Sequence, residues 1–255
     1  ELQREWRVEA LQALAGMLDE HLAANRLTGR TLGFALGVIA SIETNYRPLR
    51  HIENRLKQAL AVFLKSDDTL SACRVLYQLS EVQRRQGNSA AALRAAKAVL
   101  TLRRKMASRD PSDTDFKDDL ADSLEHIAVL QADERRYAAA LHSVQRALAI
   151  RKKLLSREPR NRHFQHLLSE THRMIGQFQF RQNQPAAARR SYKLALAIGK
   201  KLALYAPKNI HWQRSLSIIY AMLGDVLANQ GQLADASRSL KATLRIQKKL
   251  ASLDP

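Results

Sequence analysis

Apolar residues recur at helical spacing along most of the chain. In the segment 136–156 they include Ala140, Val144, Leu148 and Leu155, which share one face of a helix of about five turns. Short polar breaks, such as the one at 134–136, separate such segments. The pattern predicts antiparallel helix pairs at 67–86 with 89–108, 113–134 with 136–156, 161–182 with 185–204, and 209–230 with 233–252.

The pattern repeats every 48 residues, and the prolines mark the period. They stand at Pro111, Pro159, Pro207 and Pro255, and the first three are followed two residues later by Asp113, Asn161 and Asn209. These three residue types are good helix N-caps, so each proline marks a loop before a new helix. The breaks inside the pairs contain Gly87, Asn183 and Gly231, which tolerate a left-handed helix cap.

Small residues also follow the period. Ser80, Ala128, Gly176 and Gly224 form one column in the first helices, and Ala92, Ala140, Ala188 and Ala236 form another in the second helices. Together with Leu223-Gly224, Gly231 and Leu244, this pattern resembles the tetratricopeptide repeat over residues 66–255. The chain is similar to the long-helix variants with a 48-residue period found in bacterial signalling and defence proteins and in kinesin light chains. The resemblance implies an all-α, right-handed α-solenoid of about 11 helices.

The period divides the chain into four repeats behind a divergent helical cap. The repeats are 66–110, 111–158, 159–206 and 207–255, and the cap is 1–65, with helices near 3–25, 28–44 and 49–65. Because the sequence stops at a repeat boundary, we expect a fragment of a longer protein. Gly29, Gly33 and Gly37 recur every four residues in the cap. They indicate either a membrane-helix dimerisation stripe or, since charges flank a short apolar run, a place where a neighbouring helix approaches closely.

Composition narrows the partners and the compartment. The formal net charge of +18 favours acidic partners. The single cysteine, Cys73, excludes an intramolecular disulfide and a cysteine zinc cluster, is expected to be a small buried residue, and fits a cytoplasmic protein. The longest apolar stretch, 32–42, is too short to span a membrane, so no membrane association is predicted.

No catalytic motif is present, and neither an enzymatic activity nor a cofactor is predicted. His163 and His166 have a spacing that suits a shared metal, but nearby ligands to complete a site are lacking, so exposed first-turn residues are the favoured interpretation. His172 is expected to be a packed core residue. The acidic run Asp113, Asp115, Asp118, Asp119 and Asp122 lacks the other ligands of a calcium loop and is expected to offset the helix dipole.

Pairs of basic residues also recur with the period. They are Arg104 and Lys105, Lys152 and Lys153, Lys200 and Lys201, and Lys248 and Lys249. One interpretation is that they lie in the last turns of the second helices and complement the helix dipole. The other is a basic ladder, the name used below for these eight residues, that could meet an extended polyanion.

The tetratricopeptide resemblance implies a partner-binding groove lined by first-helix positions. Carried over to this sequence, the candidate partner-binding residues are Arg74, Tyr77, Arg84, Arg85, Arg173, Gln177, Phe180 and Arg181. No acidic residue lies between Glu170 and Asp225, so the groove should be most basic there. Phe180 would either anchor a peptide side chain or contact the next repeat. The lysine–asparagine carboxylate clamp of chaperone-binding members is absent.

The sequence therefore predicts a protein–protein interaction module, a scaffold or a regulatory or sensor domain. Its partner would be an acidic peptide, another protein, or another domain of the same parent chain, bound in the concave groove. The alternative is nucleic-acid binding through the basic ladder.

Overall fold

In the computed structural model, residues 13, 16, 17, 20, 29–43 and 48–252 are described. These residues form helices and loops without strands. The helices are α1 Gly29–Glu43, α2 Leu49–Lys65, α3 Thr69–Arg85, α4 Ser89–Arg109, α5 Thr114–Asp133, α6 Tyr137–Arg157, α7 Arg162–Arg181, α8 Pro185–Tyr205, α9 Ile210–Asn229 and α10 Leu233–Ala251. Each begins and ends within two residues of its predicted bounds. The helix predicted at 3–25 falls almost entirely outside the described residues.

The chain divides into two compact units, Glu1–Ser108 and Arg109–Pro255. The first contains α1 to α4, except for the last residue of α4, and the second contains α5 to α10. Within each unit, successive helices pack against one another, and in the second unit α7 also contacts α9. Consecutive antiparallel helix pairs of this kind are the architecture of an all-α helical-repeat protein.

Side-chain caps start the first helices α5, α7 and α9. The Asp113 carboxylate accepts hydrogen bonds from the backbone N–H groups of residues 115 and 116, at 2.7 and 3.0 Å. Asn161 and Asn209 accept from the N–H groups three residues later, at 3.2 and 3.0 Å. The predicted N-caps are therefore confirmed, and they fix where three of the helices begin.

A left-handed residue follows the first helix in four of the pairs. Gly87 and Gly231 have φ angles of +76° and +73°, and Asn183 has +59°, as the residue types predicted. In the remaining pair, Arg135 adopts this left-handed conformation, with a φ angle of +59°. An arginine in this region carries a steric cost between its Cβ and the backbone that glycine does not have.

We expect Arg135→Gly to raise the free energy of unfolding by about 0.5–1 kcal/mol, because the relief of left-handed strain exceeds the added chain entropy of an unfolded glycine. Urea unfolding followed by circular dichroism would measure the change. Asn183→Gly, 48 residues further on, is the matched control and should gain less, since asparagine tolerates this conformation. An equal gain at both positions would contradict the strain argument.

The core of each unit is built from the facing stripes of neighbouring helices. In the first unit, Ile52, Leu56 and Phe63 of α2 form one cluster with α1 and α3, and Cys73 is buried in another between α3 and α4. In the second unit, one cluster joins α5, α6 and α7, and another joins α8, α9 and α10. His172 is buried as predicted, and burial lowers its pKa, with Lys152 acting in the same direction.

The column of small residues in the first helices lies where the two helices of a pair touch. A Cβ placed on Gly176 would lie 2.7 Å from the ring of Tyr192 on α8. Ala128 holds the same position 48 residues earlier, and there it shares a cluster with the smaller Val144. The side chain facing the small residue therefore decides whether alanine or glycine can stand there.

Candidate binding groove

In the first unit, α1 and α3 enclose an open cavity of 280 Å³. From α1 it is lined by Gly33, Phe34, Gly37 and Val38, and from α3 by Ser71, Arg74, Val75 and Gln78, with Phe63 of α2 completing it. Both α1 and α3 precede a partner helix to which they are paired, so this is a groove between two first helices. The sequence assigned partner binding to first helices of the repeats, and of these two helices only α3 belongs to a predicted repeat.

A second cavity of 170 Å³ adjoins the first. Gln78 lines both, and the second is also lined by Ala40, Ile52, Leu56, Tyr77, Glu81, Val82 and Arg85. The two cavities together are called the α1–α3 groove below. Arg74 lines the first cavity, and Tyr77 and Arg85 line the second. The sequence assigned all three residues to partner binding.

The α1–α3 groove combines an apolar surface with a basic rim. Phe34 and Val38 are 49% and 45% exposed although they lie beside buried core residues, and Tyr77 is 41% exposed. Arg74 and Arg85 are exposed beside them. Arg84, the fourth predicted residue, forms an ion pair with Glu81 at 3.0 Å, which partly neutralises its charge.

The glycines of α1 have different roles, which the sequence did not distinguish. A Cβ on Gly33 would lie 2.8 Å from the Phe63 ring, so this glycine permits the close approach of α2. A Cβ on Gly37 would meet no atom within 4 Å, so this glycine leaves the groove open. Gly29 begins the helix with a φ angle of +53°. Close approach of a neighbouring helix therefore explains the glycine at position 33 but not those at positions 29 and 37.

The predicted binding residues of the second unit are largely engaged with the protein itself. The Arg173 Nε donates to Glu170 Oε2 at 2.8 Å, and its Nη1 lies 3.5 Å from Gln177 Oε1. Phe180 is partly buried and packs against the cluster that contains Tyr192 of α8 and Leu223 of α9. Arg181 is exposed. The structure thus does not present Phe180 as an open aromatic between two unpaired arginines.

Glu170 is held ionised by its neighbours. Burial acts to raise its pKa, but Arg173 and the hydroxyl of Ser215 outweigh burial and hold the pKa below its usual value. Because Ser215 belongs to α9, this carboxylate joins two neighbouring first helices. Glu170 therefore stabilises the packing of α7 against α9, on the helix face that the sequence assigned to partner binding.

All eight residues of the basic ladder are exposed. The prediction that all these pairs lie in the last turns of their helices is wrong. The basic residue in the last turn is Arg109 in α4 and Arg157 in α6, and α8 has no basic residue there. Only Lys248 and Lys249 lie in a last turn. The dipole effect falls off beyond the last turn, so it accounts for one of the four pairs.

The acidic run of α5 has a function in packing that the sequence interpretation missed. Only Asp115 lies in the first turn. Asp118, Asp122 and Glu125 instead surround the guanidinium of Arg151 on α6, a side chain that is only 1% exposed. The dipole explanation of Asp118 and Asp122 is therefore wrong, since these carboxylates face a buried cation.

Arg151 connects three helices. Its Nη1 donates to Glu125 Oε1 at 2.7 Å, to the Thr171 hydroxyl at 2.8 Å and to the carbonyl of Leu167 at 3.2 Å. Its Nη2 donates to Asp122, and its Nε lies 3.4 Å from Asp118. The sequence held a signal for this cluster. Arg151 lies four residues after Ala147 and three before Leu154, on the buried stripe of α6.

Burial raises the pKa values of two of these carboxylates. Burial raises the pKa of Glu125, and Arg151 and the Thr171 hydroxyl offset that only in part. Burial also raises the pKa of Asp118, and the neighbouring charge of Asp122 acts in the same direction against Arg151. Burial therefore acts against the ionised form of both groups, and the guanidinium of Arg151 acts in its favour.

The described residues show no arrangement of three or more His, Cys, Asp or Glu side chains able to hold a metal ion. His163, one of the two histidines considered above, is exposed, and its Nε2 lies 3.8 Å from Asp118 Oδ2. None of the helices formed by these residues is both long and apolar enough to cross a membrane.

Antiparallel helix pairs and the grooves between their first helices define a helical-repeat protein of the α-solenoid class. More narrowly, residues 120–161 match the family model described as tetratricopeptide repeat, which confirms the resemblance seen in the sequence. No curated protein sequence matches the chain.

Several solved structures share the fold. BtubC (BKLC) from P. vanneervenii is 15% identical with a TM-score of 0.73, covering 98% of this chain and 93% of that one. The apo form of RapI is 17% identical with a TM-score of 0.74, covering 92% of this chain and 59% of that one. A putative kinesin light chain from Podosopora anserina, with nearly identical TPR-like repeats, is 18% identical with a TM-score of 0.60, covering 88% and 98%. Such identities establish the fold alone.

Proposed function

We propose that the protein is an interaction module, a scaffold or regulatory domain, that binds an acidic peptide segment of a partner in the α1–α3 groove. Repeats of the tetratricopeptide type generally serve as scaffolds for protein interaction without catalytic activity. The partner would be another protein or another domain of the same parent chain. No cofactor takes part in this function.

The observation that carries the proposal is the open apolar cavity between two first helices. A cavity of 280 Å³ is close to the lower size of pockets that hold small ligands and suits one large apolar side chain of a peptide. Phe34 and Val38 expose nearly half of their surface around it, and covering them would release water from apolar surface. The lack of a side chain on Gly37 keeps the cavity open.

The basic rim supports an acidic sequence around that apolar anchor. Arg74 lines the larger cavity and Arg85 the smaller, and a carboxylate near either would accept charge-assisted hydrogen bonds. Glu81 is the acidic residue among the lining side chains, and it is paired with Arg84. A segment with an apolar anchor between acidic residues complements this surface.

We expect Gly37→Leu to weaken peptide binding at least about tenfold without loss of folding, because the new side chain would occupy the cavity. Peptides would first be selected from a random displayed library against the full chain, and the affinity of the most enriched peptide measured by fluorescence anisotropy. Enriched peptides should carry a large apolar residue flanked by Asp or Glu. Arg74→Glu should weaken the same peptide through charge repulsion.

Lys97→Leu is the matched control, since it adds the same side chain to an exposed position on α4, outside the groove. This variant should bind the selected peptide as the parent does. If Gly37→Leu binds within threefold of the parent, the α1–α3 groove is not the binding site.

Nucleic-acid binding through the basic ladder is the second candidate function. The observation that favours it is the exposure of all eight ladder residues, six of which lie outside the last turns of their helices. The aromatic residues that would stack on bases do not alternate with them along the sequence.

A further inference from the structure

The second unit separates its charges between the two helices of each pair. The second helices α6, α8 and α10 contain fifteen lysines and arginines and one acidic residue, Asp235. The first helices α5, α7 and α9 contain five basic and eight acidic residues. The excess positive charge of this unit therefore lies on its second helices, away from the positions to which the tetratricopeptide resemblance assigns binding.

A cleft of 350 Å³ opens among these second helices, between α8 and α10. Its basic rim consists of Arg189, Lys193 and Lys200 from α8 and Arg238 from α10. Its apolar floor includes Leu196, Tyr220 and Leu227. We call this depression the α8–α10 cleft. Asp235 also lines it and is paired with Arg238, so the remaining rim is positive.

The cleft has a defined length and fixed ends. From residue 189 to residue 200, α8 rises about 16 Å, close to three helical turns. At one end, Arg189 Nη1 donates to Gln232 Oε1 at 3.0 Å, which holds its guanidinium in place. At the other, the Lys200 ammonium lies 5.5 Å from the centroid of the Tyr220 ring.

We propose that the α8–α10 cleft binds an acidic amphipathic helix of a partner protein. Apolar side chains on one face of such a helix would cover the floor, and carboxylates beside them would meet Lys193 and Lys200, the helix-in-groove mode of recognition. About three turns of helix match the length of the cleft. This site and the α1–α3 groove share no residue, so either can fail without the other.

The floor distinguishes this partner from a nucleic acid. A phosphate backbone would satisfy the basic rim but leave the apolar floor facing water. Bases could cover the floor by stacking on aromatic rings. Among the lining side chains the aromatic one is Tyr220, and Lys200 lies over its ring. The combination of apolar floor and basic rim therefore favours a segment that carries both apolar and acidic side chains.

The test uses the full chain and three fluorescently labelled probes. The first is a synthetic peptide of leucine and glutamate whose leucines recur at i, i+3, i+4 and i+7. The second is the same composition in scrambled order. The third is a single-stranded oligonucleotide of equal negative charge. Anisotropy titrations should show the amphipathic peptide binding at least about tenfold tighter than either other probe.

Two variants with the same change in charge locate the site. Lys193→Glu with Lys200→Glu should weaken the amphipathic peptide about tenfold or more, whereas Lys152→Glu with Lys153→Glu on α6 should change it less than threefold. Ala242→Leu, which fills the cleft without a change in charge, should also weaken it. All of these comparisons are made in the Gly37→Leu background, so that binding of the same acidic probes in the α1–α3 groove does not contribute.

Three results would overturn the proposal. Equal binding of the scrambled peptide would mean that the apolar floor is not used. Equal losses in the two charge variants would mean diffuse attraction to the whole basic surface. Tighter binding of the oligonucleotide, lost in Lys193→Glu with Lys200→Glu, would make the cleft part of a polyanion surface.

Discussion

Arg151→Ala is expected to lower the free energy of unfolding by about 3–5 kcal/mol, the usual cost of removing one partner from a buried ion cluster. The guanidinium is 1% exposed and contacts Asp118, Asp122 and Glu125 on α5 and Thr171 on α7. Its removal leaves a cavity and two carboxylates, Asp118 and Glu125, that are already costly to ionise. Urea unfolding at pH 7 followed by circular dichroism would measure the loss.

The pH dependence of that loss follows from the direction of the pKa shifts. The pKa values of Asp118 and Glu125 are raised in the folded protein, so their protonated forms favour folding. This contribution is fully present below the unfolded pKa, about 4, and disappears as pH rises through the folded pKa. Without Arg151 the folded pKa values should rise further, so the loss caused by Arg151→Ala should be smaller at pH 4 than at pH 7.

Two controls separate the cluster from general effects of mutation. Lys152→Ala, at the exposed neighbouring position, should change stability by less than about 0.5 kcal/mol. Arg151→Ala combined with Asp118→Asn and Glu125→Gln should be more stable at pH 7 than Arg151→Ala alone, because no unpaired buried carboxylate remains. A triple variant as unstable as the single one would show that lost packing, and not unpaired charge, causes the effect.

Gly176→Ala is expected to lower the free energy of unfolding by about 1–3 kcal/mol, despite the higher helix propensity of alanine. The added Cβ would lie 2.7 Å from the Tyr192 ring, which is only 2% exposed and is held within the core. Either the ring must leave its rotamer or α7 and α8 must separate. Thermal and urea unfolding of the full chain would measure the loss.

Gly224→Ala is the matched control, 48 residues further on. There the added Cβ would lie 3.1 Å from the side chain of Leu240, which is 45% exposed and can turn away. The change should be neutral or stabilising, since alanine is the better helix former by about 1 kcal/mol. Losses of the same size at both positions would contradict the explanation through Tyr192.

A double variant tests the same contact from the other side. Tyr192→Val with Gly176→Ala reproduces the pairing of Ala128 with Val144 that the protein already contains. The combined loss should be smaller than the sum of the two single losses, since the valine makes room for the alanine. Additive losses would mean that the two residues do not interact.

Local features were predictable because local chemistry specifies them. Asp113, Asn161 and Asn209 cap helices through atoms two or three residues away, and Gly87 and Gly231 end helices through their own φ angles. The candidate site was predictable in part. The resemblance placed Arg74, Tyr77 and Arg85 on first helices, and these three do line the α1–α3 groove.

The remainder of the site depended on which side chains meet. Gly33 and Gly37 are the same residue type four positions apart on one helix. Only the position of the Phe63 ring makes the first a packing contact and the second an opening in the groove. Phe180 and Phe34 are both first-helix aromatics, yet the first packs against the buried cluster around Tyr192 and the second stays half-exposed.

The sequence by itself determined the helices, their caps, the paired arrangement and the tetratricopeptide resemblance, because spacing along one chain fixes them. Tertiary structure decided what the charged residues do. Asp118 and Asp122 look like dipole-compensating residues until α6 places Arg151 against them. The physical reason is burial: a carboxylate in water and one facing a guanidinium inside the protein have the same sequence signature, and only packing between helices removes the water.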